Sequence, residues 1–423
     1  MYSAGRGTRA NSLLLFITGV RRLEGIVRFY HETSSQRSAR VENFVAAGKP
    51  YCNLLIVGCG MIGREHMRVA TLLGRARVHG VFDPESESVR QAAAEFAGYS
   101  SDQLVVYPDL RSAVDDPAID AIFVCTPNFT HFEILQQIKH TGKPLFIEKP
   151  MATRLEDARS MLLLAEEYPS FIQLGMQYRF KSQYVEAFHE IKQNSSLGAI
   201  KTIAMSEFRP RFLNKVKQWN KFNAFSGGTL VEKCCHYFDL INLMAETRID
   251  SVYALSGQAV NFIDFSYEGK VSDIHDHAFV VMQFAGGISA SFTLNMFSRE
   301  LYEELSVTGE HGRLLASEYS SFSPGSRSRA EIMVEVDGHP AYRGKEVTYP
   351  APIEASGHHG ATFFEHEAFL DQFDNKPHDS ASCEQGMWAI LVASAAQQSA
   401  ATGQVISVKD FAAEQGINDV LSW

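Results

Sequence analysis

Leu54-Leu55-Ile56-Val57-Gly58-Cys59-Gly60-Met61-Ile62-Gly63 is the stretch on which the fold of this 423-residue chain turns. Four apolar residues, the length of a buried strand, run straight into G-x-G-x-x-G, and a helical pattern follows. Each glycine has a separate reason. Gly58 allows the tight turn, Gly60 lets the backbone approach a pyrophosphate, and Gly63 permits close packing of helix on strand. The free N–H groups of the first helical turn, at Met61 and Ile62, then face a diphosphate together with the positive end of the helix dipole.

Working outward, Asp83 ends the next apolar run, 20 residues after Gly63, where a carboxylate grips the adenosine ribose hydroxyls. It would repel a 2′-phosphate, and Pro84 rather than an arginine follows it, so NAD is expected over NADP. Apolar runs at 54–57, 78–82, 121–125 and 145–147 alternate with helical segments, the βαβ rhythm of a doubly wound parallel sheet, here a Rossmann domain. After about residue 171 the rhythm changes. Strand-like stretches at 200–208, 251–262, 277–284 and 288–296 surround one long helical segment at 230–245, and Ala285-Gly286-Gly287 reads as a hairpin turn. The fold class expected is α/β, with an N-terminal Rossmann parallel sheet. A C-terminal α+β domain would carry a large, mainly antiparallel, open-faced sheet. Boundaries are set at 1–50 for an extension, 51–172 for NAD binding, and 173–423 for substrate binding and self-association.

Composition limits the function. A formal net charge of −10 offers no general attraction to nucleic acid, and 45% hydrophobic with 21% charged residues is globular. Six cysteines with no C-x-x-C pair imply free thiols and no zinc site. The first 50 residues hold eight Arg or Lys against three acids. Such a stretch reads as a poorly ordered extension or an added upstream start, as a mitochondrial transit peptide, or, through the apolar run 13–20, as a secretion signal. A cytoplasmic location, or an organellar one if the extension is a targeting peptide, is therefore expected, with no membrane partner.

Two further segments, Val124-Cys125-Thr126-Pro127-Asn128-Phe129-Thr130-His131 and Phe146-Ile147-Glu148-Lys149-Pro150, sit at the carboxyl ends of expected strands, where open α/β sheets bind ligands. Together with the glycine loop they resemble the glucose-fructose oxidoreductase/inositol dehydrogenase (Gfo/Idh/MocA) family, over about residues 53–408. The resemblance implies that Lys149 lies beside the nicotinamide and the reacting oxygen, where an ammonium stabilises a developing alkoxide. Thr126, Pro127, Asn128, His131 and Glu148 join Gly58, Gly60, Met61, Ile62, Gly63, Asp83 and Lys149 as cofactor-binding residues. Pro150 is a candidate for a cis peptide bond.

Gly227-Gly228-Thr229-Leu230-Val231-Glu232-Lys233-Cys234-Cys235-His236 resembles the second signature of that family, G-G-x-x-x-D-x-x-x-H. Four residues apart on one helix, Glu232 and His236 would share a face. His236 is then the general base and Glu232 orients it or holds a substrate hydroxyl. Glu232 stands where many inositol-type members have Asp, which leaves the substrate open. Lys233 points elsewhere on the helix and reads as structural or peripheral. Tyr178 and Arg179 fall where relatives place substrate contacts, or else they cap the joint between domains.

The implied reaction is hydride transfer from a secondary alcohol of a polyol, cyclitol or sugar to NAD. The alternatives are a dihydrodiol or other non-sugar dehydrogenase, or an NAD-binding sensor without turnover. Self-association as a homodimer or homotetramer is implied by the resemblance alone. No metal is expected: His275-Asp276-His277 reads as solvated turn residues, and Cys234-Cys235 as small helix-packing residues. Asn128-Phe129-Thr130 matches a glycosylation acceptor but falls within the cofactor site. His358-His359, in a loop before a helix, stays outside the catalytic set, and 320–329 reads as an exposed loop.

Overall fold

A computed structural model describes residues 32–45, 50–321, 328–339 and 344–421. The apolar run 13–20 and most of the 320–329 segment lie outside them. Six strands form a parallel sheet: β1 (Cys52–Val57), β2 (Ala76–Phe82), β3 (Val105–Val106), β4 (Ala121–Val124), β5 (Leu145–Glu148) and β6 (Ile172–Gly175). Their order is β3-β2-β1-β4-β5-β6, with parallel pairing throughout. Every residue of β4, β5 and β6 is buried. Helices cover both faces of such a sheet, which is why these strands read as unbroken apolar runs. Phe123 and Phe146 stack at 4.6 Å in the middle of it, and Phe369, from the helix Ala361–Phe373, meets Phe123 edge-on at 4.8 Å. The last strand extends to Gly175, three residues past the boundary expected at 172.

The second half builds a nine-stranded sheet from β7 (Ile200–Phe208), β8 (Ile249–Gly257), β11 (His277–Phe284), β12 (Ser289–Asn295), β13 (Leu301–Gly309), β14 (Gly312–Ser320), β15 (Arg329–Val336), β16 (Lys345–Glu346) and β17 (Ile406–Ser407). The two-stranded β9 (Ser266–Tyr267) and β10 (Lys270–Val271) stand apart. The order is β16-β15-β14-β13-β7-β12-β11-β8-β17, antiparallel except where β12 runs parallel to β7. Burial alternates along β11: Ala278, Val280, Met282 and Phe284 face in, while Phe279 and Val281 are 56% and 52% exposed. One face is thus packed and the other open. Among the described residues no helix is long and apolar enough to cross a membrane.

Two expectations need correction here. Residues 34–45 of the extension form a helix, Ser34–Val45, held by buried partners rather than left disordered. The Ser34 N–H and hydroxyl donate to Glu186, Arg37 pairs with Asp379 at 2.7 Å, and Arg40 with Glu367 at 2.8 Å. The helix expected over 230–245 is broken into Thr229–Glu232 and Cys235–Ala245. In a continuous helix the Glu232 carbonyl would accept the His236 N–H; here it accepts the Lys149 ammonium at 3.0 Å.

Candidate active site

The glycine loop has the geometry its residues dictate. At Gly58, with φ +98°, a side chain would meet the Cys125 backbone at 2.7 Å, and a Cβ at Gly63 would lie 1.9 Å from the Gly58 carbonyl oxygen. Gly60 is different: a Cβ there would meet nothing within 4 Å. The loop is therefore packed tightly from beneath and open above. It caps the helix Met61–Leu73, with Met61 exposed at its first position and Ile62 against the core. Asp83 follows β2 directly, and its carboxylate accepts the Cys59 and Glu85 N–H groups at 2.7 and 2.8 Å. That holds an anion beside the loop, half-buried, where a ribose would present its hydroxyls. An open cradle, a free helix start and this carboxylate together fit a dinucleotide.

Of the other residues expected around the cofactor, Thr126 and Thr130 join hydroxyls at 2.7 Å at the end of β4, beside Pro127 and buried Asn128. His131 and Glu148 do not face that space. Both His131 ring nitrogens lie against carbonyls, Nδ1 on Pro150 at 2.9 Å and Nε2 on Thr126 at 3.0 Å, so the ring ties the ends of β4 and β5 together. Glu148 is buried, its Oε1 on His66 at 2.8 Å and its Oε2 accepting the Lys149 N–H at 3.0 Å. The sequence signals for both are positional and say nothing of which way a side chain points. The Lys149-Pro150 peptide is cis.

Lys149 and Glu232 meet just beyond the carboxyl end of β5. Burial opposes the charged form of Lys149, but its neighbours Glu232, Cys235 and Glu148, Glu232 foremost, together outweigh it and raise the pKa, so the group is an ammonium at neutral pH. Burial likewise pushes Glu232 up, and the ammoniums of Lys215 and Lys149 pull it down to about 2. Lys215 pairs with the Glu232 carboxylate at 3.0 Å and lies 4.3 Å from the centre of the Trp219 ring. Its own pKa is lowered, because burial costs the ammonium more than Glu232 returns. The loop carrying Lys215 crosses to the nucleotide domain through Lys217, 2.5 Å from Glu85. No motif marks Lys215 in the sequence.

The orienting contact expected between Glu232 and His236 is not made among the described residues. The break after Glu232 sends its carboxylate to Lys215, while the His236 ring stacks on Tyr178, centroids 4.1 Å apart and planes within 5°. Burial and the Lys149 and Lys233 ammoniums hold the His236 pKa well below its ordinary value, so its imidazole is neutral. Its Nδ1 is buried without a hydrogen-bond partner. The Tyr178 hydroxyl lies 2.5 Å from the Lys233 ammonium, and Lys181 sits over its ring at 4.2 Å. Lys233 is thus buried structure, paired with Glu207 at 3.1 Å, and not peripheral. Arg179 is turned away into a bidentate pair with Asp239 at 2.7 and 2.5 Å, both groups buried.

Two sequence details resolve differently from expectation. Asp276 of the His275-Asp276-His277 triplet is fully buried, accepting the N–H groups of Ala259, Val260 and Asn261; it clasps a loop and is no solvated turn. All six cysteines are free and buried. Among the described residues one cluster of metal-ligand type, His66, Glu148 and Glu365, has its ligand atoms within 4.8 Å of one another, where the sequence suggested none. Burial and the neighbouring Glu148 push the Glu365 carboxyl well up, towards its neutral form, and a second imidazole, His366, contacts His66 at 2.7 Å. His366, His66 and Glu148 form a hydrogen-bonded chain that joins the Ala361–Phe373 helix to β5, while both Glu365 carboxyl oxygens are buried without a hydrogen-bond partner.

A glycine cradle at a helix start, a carboxylate after β2 and a half-buried ammonium at the end of β5 define a nucleotide-dependent oxidoreductase. Residues 52–176 match the oxidoreductase family's NAD-binding Rossmann fold and residues 190–408 its C-terminal alpha/beta domain. The chain belongs to the Gfo/Idh/MocA family of NAD-binding oxidoreductases. It is similar to the myo-inositol 2-dehydrogenase of Thermotoga maritima, 22% identical over 349 residues covering 81% of this chain and 95% of that protein. It is 24% identical to an uncharacterized oxidoreductase, YrbE, of Bacillus subtilis over 238 residues, 56% of this chain and 64% of that protein's length. Among solved structures, levoglucosan dehydrogenase in complex with NADH and levoglucosan superposes with a TM-score of 0.70 at 19% identity, over 84% of this chain and 99% of that one. A myo-inositol dehydrogenase from Lactobacillus casei, in complex with NAD(H) and myo-inositol, gives 0.64 at 22%, over 84% and 96%.

Proposed function

We propose that this oxidoreductase oxidises a secondary hydroxyl of a polyol, cyclitol or sugar. The observation that carries the reading is the half-buried Lys149 ammonium beside a neutral His236 and an ionised Glu232 at the carboxyl end of β5. The dinucleotide would be held by the 58–63 loop, Asp83 and the Thr126-Pro127-Asn128 turn, and when bound it supplies a hydride acceptor. Lys149 donates to the substrate oxygen as negative charge builds there, a donor aimed at the developing alkoxide in a site shielded from water. Neutral His236 is free to accept a hydrogen bond from a hydroxyl, while Glu232, fixed by Lys215, presents acceptor oxygens to another. Hydroxyl-rich substrates suit a site whose charged groups are all donors or acceptors of hydrogen bonds.

The open face of the nine-stranded sheet supports self-association. Phe279 on β11 pairs directly with Leu255 on β8, and both are more than half exposed. An apolar stripe of this kind on a soluble protein marks an interaction surface, and a second copy of the chain is the occupant proposed. The test of the activity is NADH formation on a panel of myo-inositol, scyllo-inositol, aldoses and aromatic dihydrodiols, with NAD and NADP compared. Turnover of a cyclitol or sugar with NAD is expected. Turnover of dihydrodiols alone would replace the substrate class, and tight NAD binding with no turnover across the panel would make the chain a sensor.

A further inference from the structure

Three elements converge on one buried point at the end of β5. His66 comes from the helix Met61–Leu73 that caps the dinucleotide loop, Glu148 from β5 itself, and Glu365 from the helix Ala361–Phe373. One ligand atom from each lies within 4.8 Å of the other two, and none of the three residues is more than 3% exposed. The walls are aromatic: Phe123 and Phe146 meet the His66 ring edge-on at 5.6 and 4.9 Å. In such surroundings a polar group must find its partner among its neighbours.

Two of the three do. Glu148 Oε1 lies 2.8 Å from His66 Nε2 and its Oε2 accepts the Lys149 N–H, while His66 Nδ1 lies 2.7 Å from His366 Nε2. Glu365 does not: among the described residues neither of its buried carboxyl oxygens has a hydrogen-bond partner. Ionised, it would be a bare charge against an apolar wall; neutral, it would carry an O–H with no acceptor, and either state is costly. The neighbouring Glu148 adds repulsion. The one cation that acts on Glu365, Arg179, is spent on Asp239 and Gln385.

We propose that His66 Nε2, Glu148 Oε1 and both Glu365 oxygens hold a divalent transition cation of the zinc class, at a structural site. Such ligand atoms stand about 2.0–2.2 Å from the ion and about 3–4 Å from one another, a spacing that atoms already within 4.8 Å reach by small side-chain rotations. Two carboxylates balance the charge of the ion. His66 Nδ1–H, donating to His366 Nε2, is the outer contact that leaves Nε2 free as a ligand. One imidazole with carboxylate oxygens suits zinc or manganese; magnesium keeps its waters, which an apolar wall does not accommodate. The His66–Glu148 contact alone also suits an Nε2–H donated to Glu148, so it is Glu365 that carries the inference. The ion ties both helices to the end of β5, and Glu148 passes its hold to the Lys149 N–H. No spacing in the sequence marks the site, since its first two ligands are 82 residues apart.

The inference is independent of the substrate, and zinc alone is the probe. The full chain, expressed in zinc-supplemented medium and washed with EDTA, should carry about one zinc by plasma mass spectrometry, and Glu365→Gln, isosteric but uncharged, roughly a tenth of that or less. Refolding from urea, which opens the buried site, should give a wild type that melts several degrees higher with zinc than with EDTA, and a Glu365→Gln chain that melts alike in both. Glu365→Met separates a ligand from an orphaned acid: it should melt lower than the zinc-loaded wild type, whereas a core that merely buries an unmet carboxyl would gain stability. Less than roughly a tenth of an equivalent of zinc or manganese in the wild type, the same metal content in Glu365→Gln, or a Glu365→Met chain that melts higher would overturn the site. Should Glu365→Gln fail to fold, the wild-type stoichiometry and its zinc-dependent melting still decide.

Discussion

The two sheets of this molecule teach different lessons. The six-stranded parallel sheet is buried on both faces, and its first strand runs into a loop where Gly58 and Gly63 are fixed by close backbone contacts and Gly60 stays open. The nine-stranded sheet is packed on one face only, and its chemistry comes from side chains gathered from distant segments. The first holds a cofactor by backbone geometry. On the proposed reading the second selects a substrate by charge, with Lys215, Lys233 and Lys181 set against Glu232, Glu207 and Glu303, and Lys149 reaching them from the end of β5.

That contrast can be broken or sharpened by substitution. Phe123→Ala removes the middle of the stacked Phe123-Phe146 pair and should destabilise the parallel sheet by about 3–5 kcal/mol, read by urea unfolding. Retained stability would mean the aromatic stack is not its centre. Lys149→Met should lower kcat by about 10²–10³-fold while NADH affinity persists, measured by steady-state kinetics and fluorescence titration. Gly63→Ala forces a Cβ against the Gly58 carbonyl oxygen and should weaken NAD by about tenfold or more, roughly 1.4 kcal/mol, in a calorimetric titration. A wild-type affinity would show the loop to be slack.

Acid offers a gentler probe of the second sheet. Glu232 is depressed from 4.5 to about 2, so the stability it lends is fully present above pH 4.5 and is lost as pH falls towards 2. The wild type should lose thermal stability more steeply across that window than Glu232→Gln. Parallel slopes would mean that the cost of burying Lys215 cancels the pair. The smallest effect on a single chain belongs to Phe279→Glu, on the open face: little change in melting temperature, but a shift to monomer by light scattering, if a second copy covers that stripe.

Much of the first sheet was legible because its signals are local. A strand, three glycines and an acid 20 residues on are all within 30 residues, and Lys149 follows its own strand. The second half was legible only in outline. Its strands alternate and its hairpin turn is where Ala285-Gly286-Gly287 placed it, but β8 stops at Gly257, because the Asp276 carboxylate holds the following loop. The spacing of Glu232 and His236 suggested one helical face, and the break between them undoes it, since a lysine from another domain occupies the carbonyl that would have continued the helix. Arg179 looked like a substrate contact until Asp239 supplied a buried partner. Lys215 had no signal, and the His358-His359 loop was visible without the Glu65 carboxylate 293 residues away that holds it. Each depends on residues brought together by the fold rather than by the chain.

Transfer of hydrogen from a hydroxyl-bearing carbon to NAD is the step on which the proposed function stands. It is tested most directly by supplying a polyol or cyclitol deuterated at its carbon-bound positions and examining the reduced cofactor by mass spectrometry and proton NMR. One deuterium at nicotinamide C4, with Lys149→Met forming the same product far more slowly, is the predicted result. Reduced cofactor without deuterium, or a cofactor that binds and is never reduced, would contradict it.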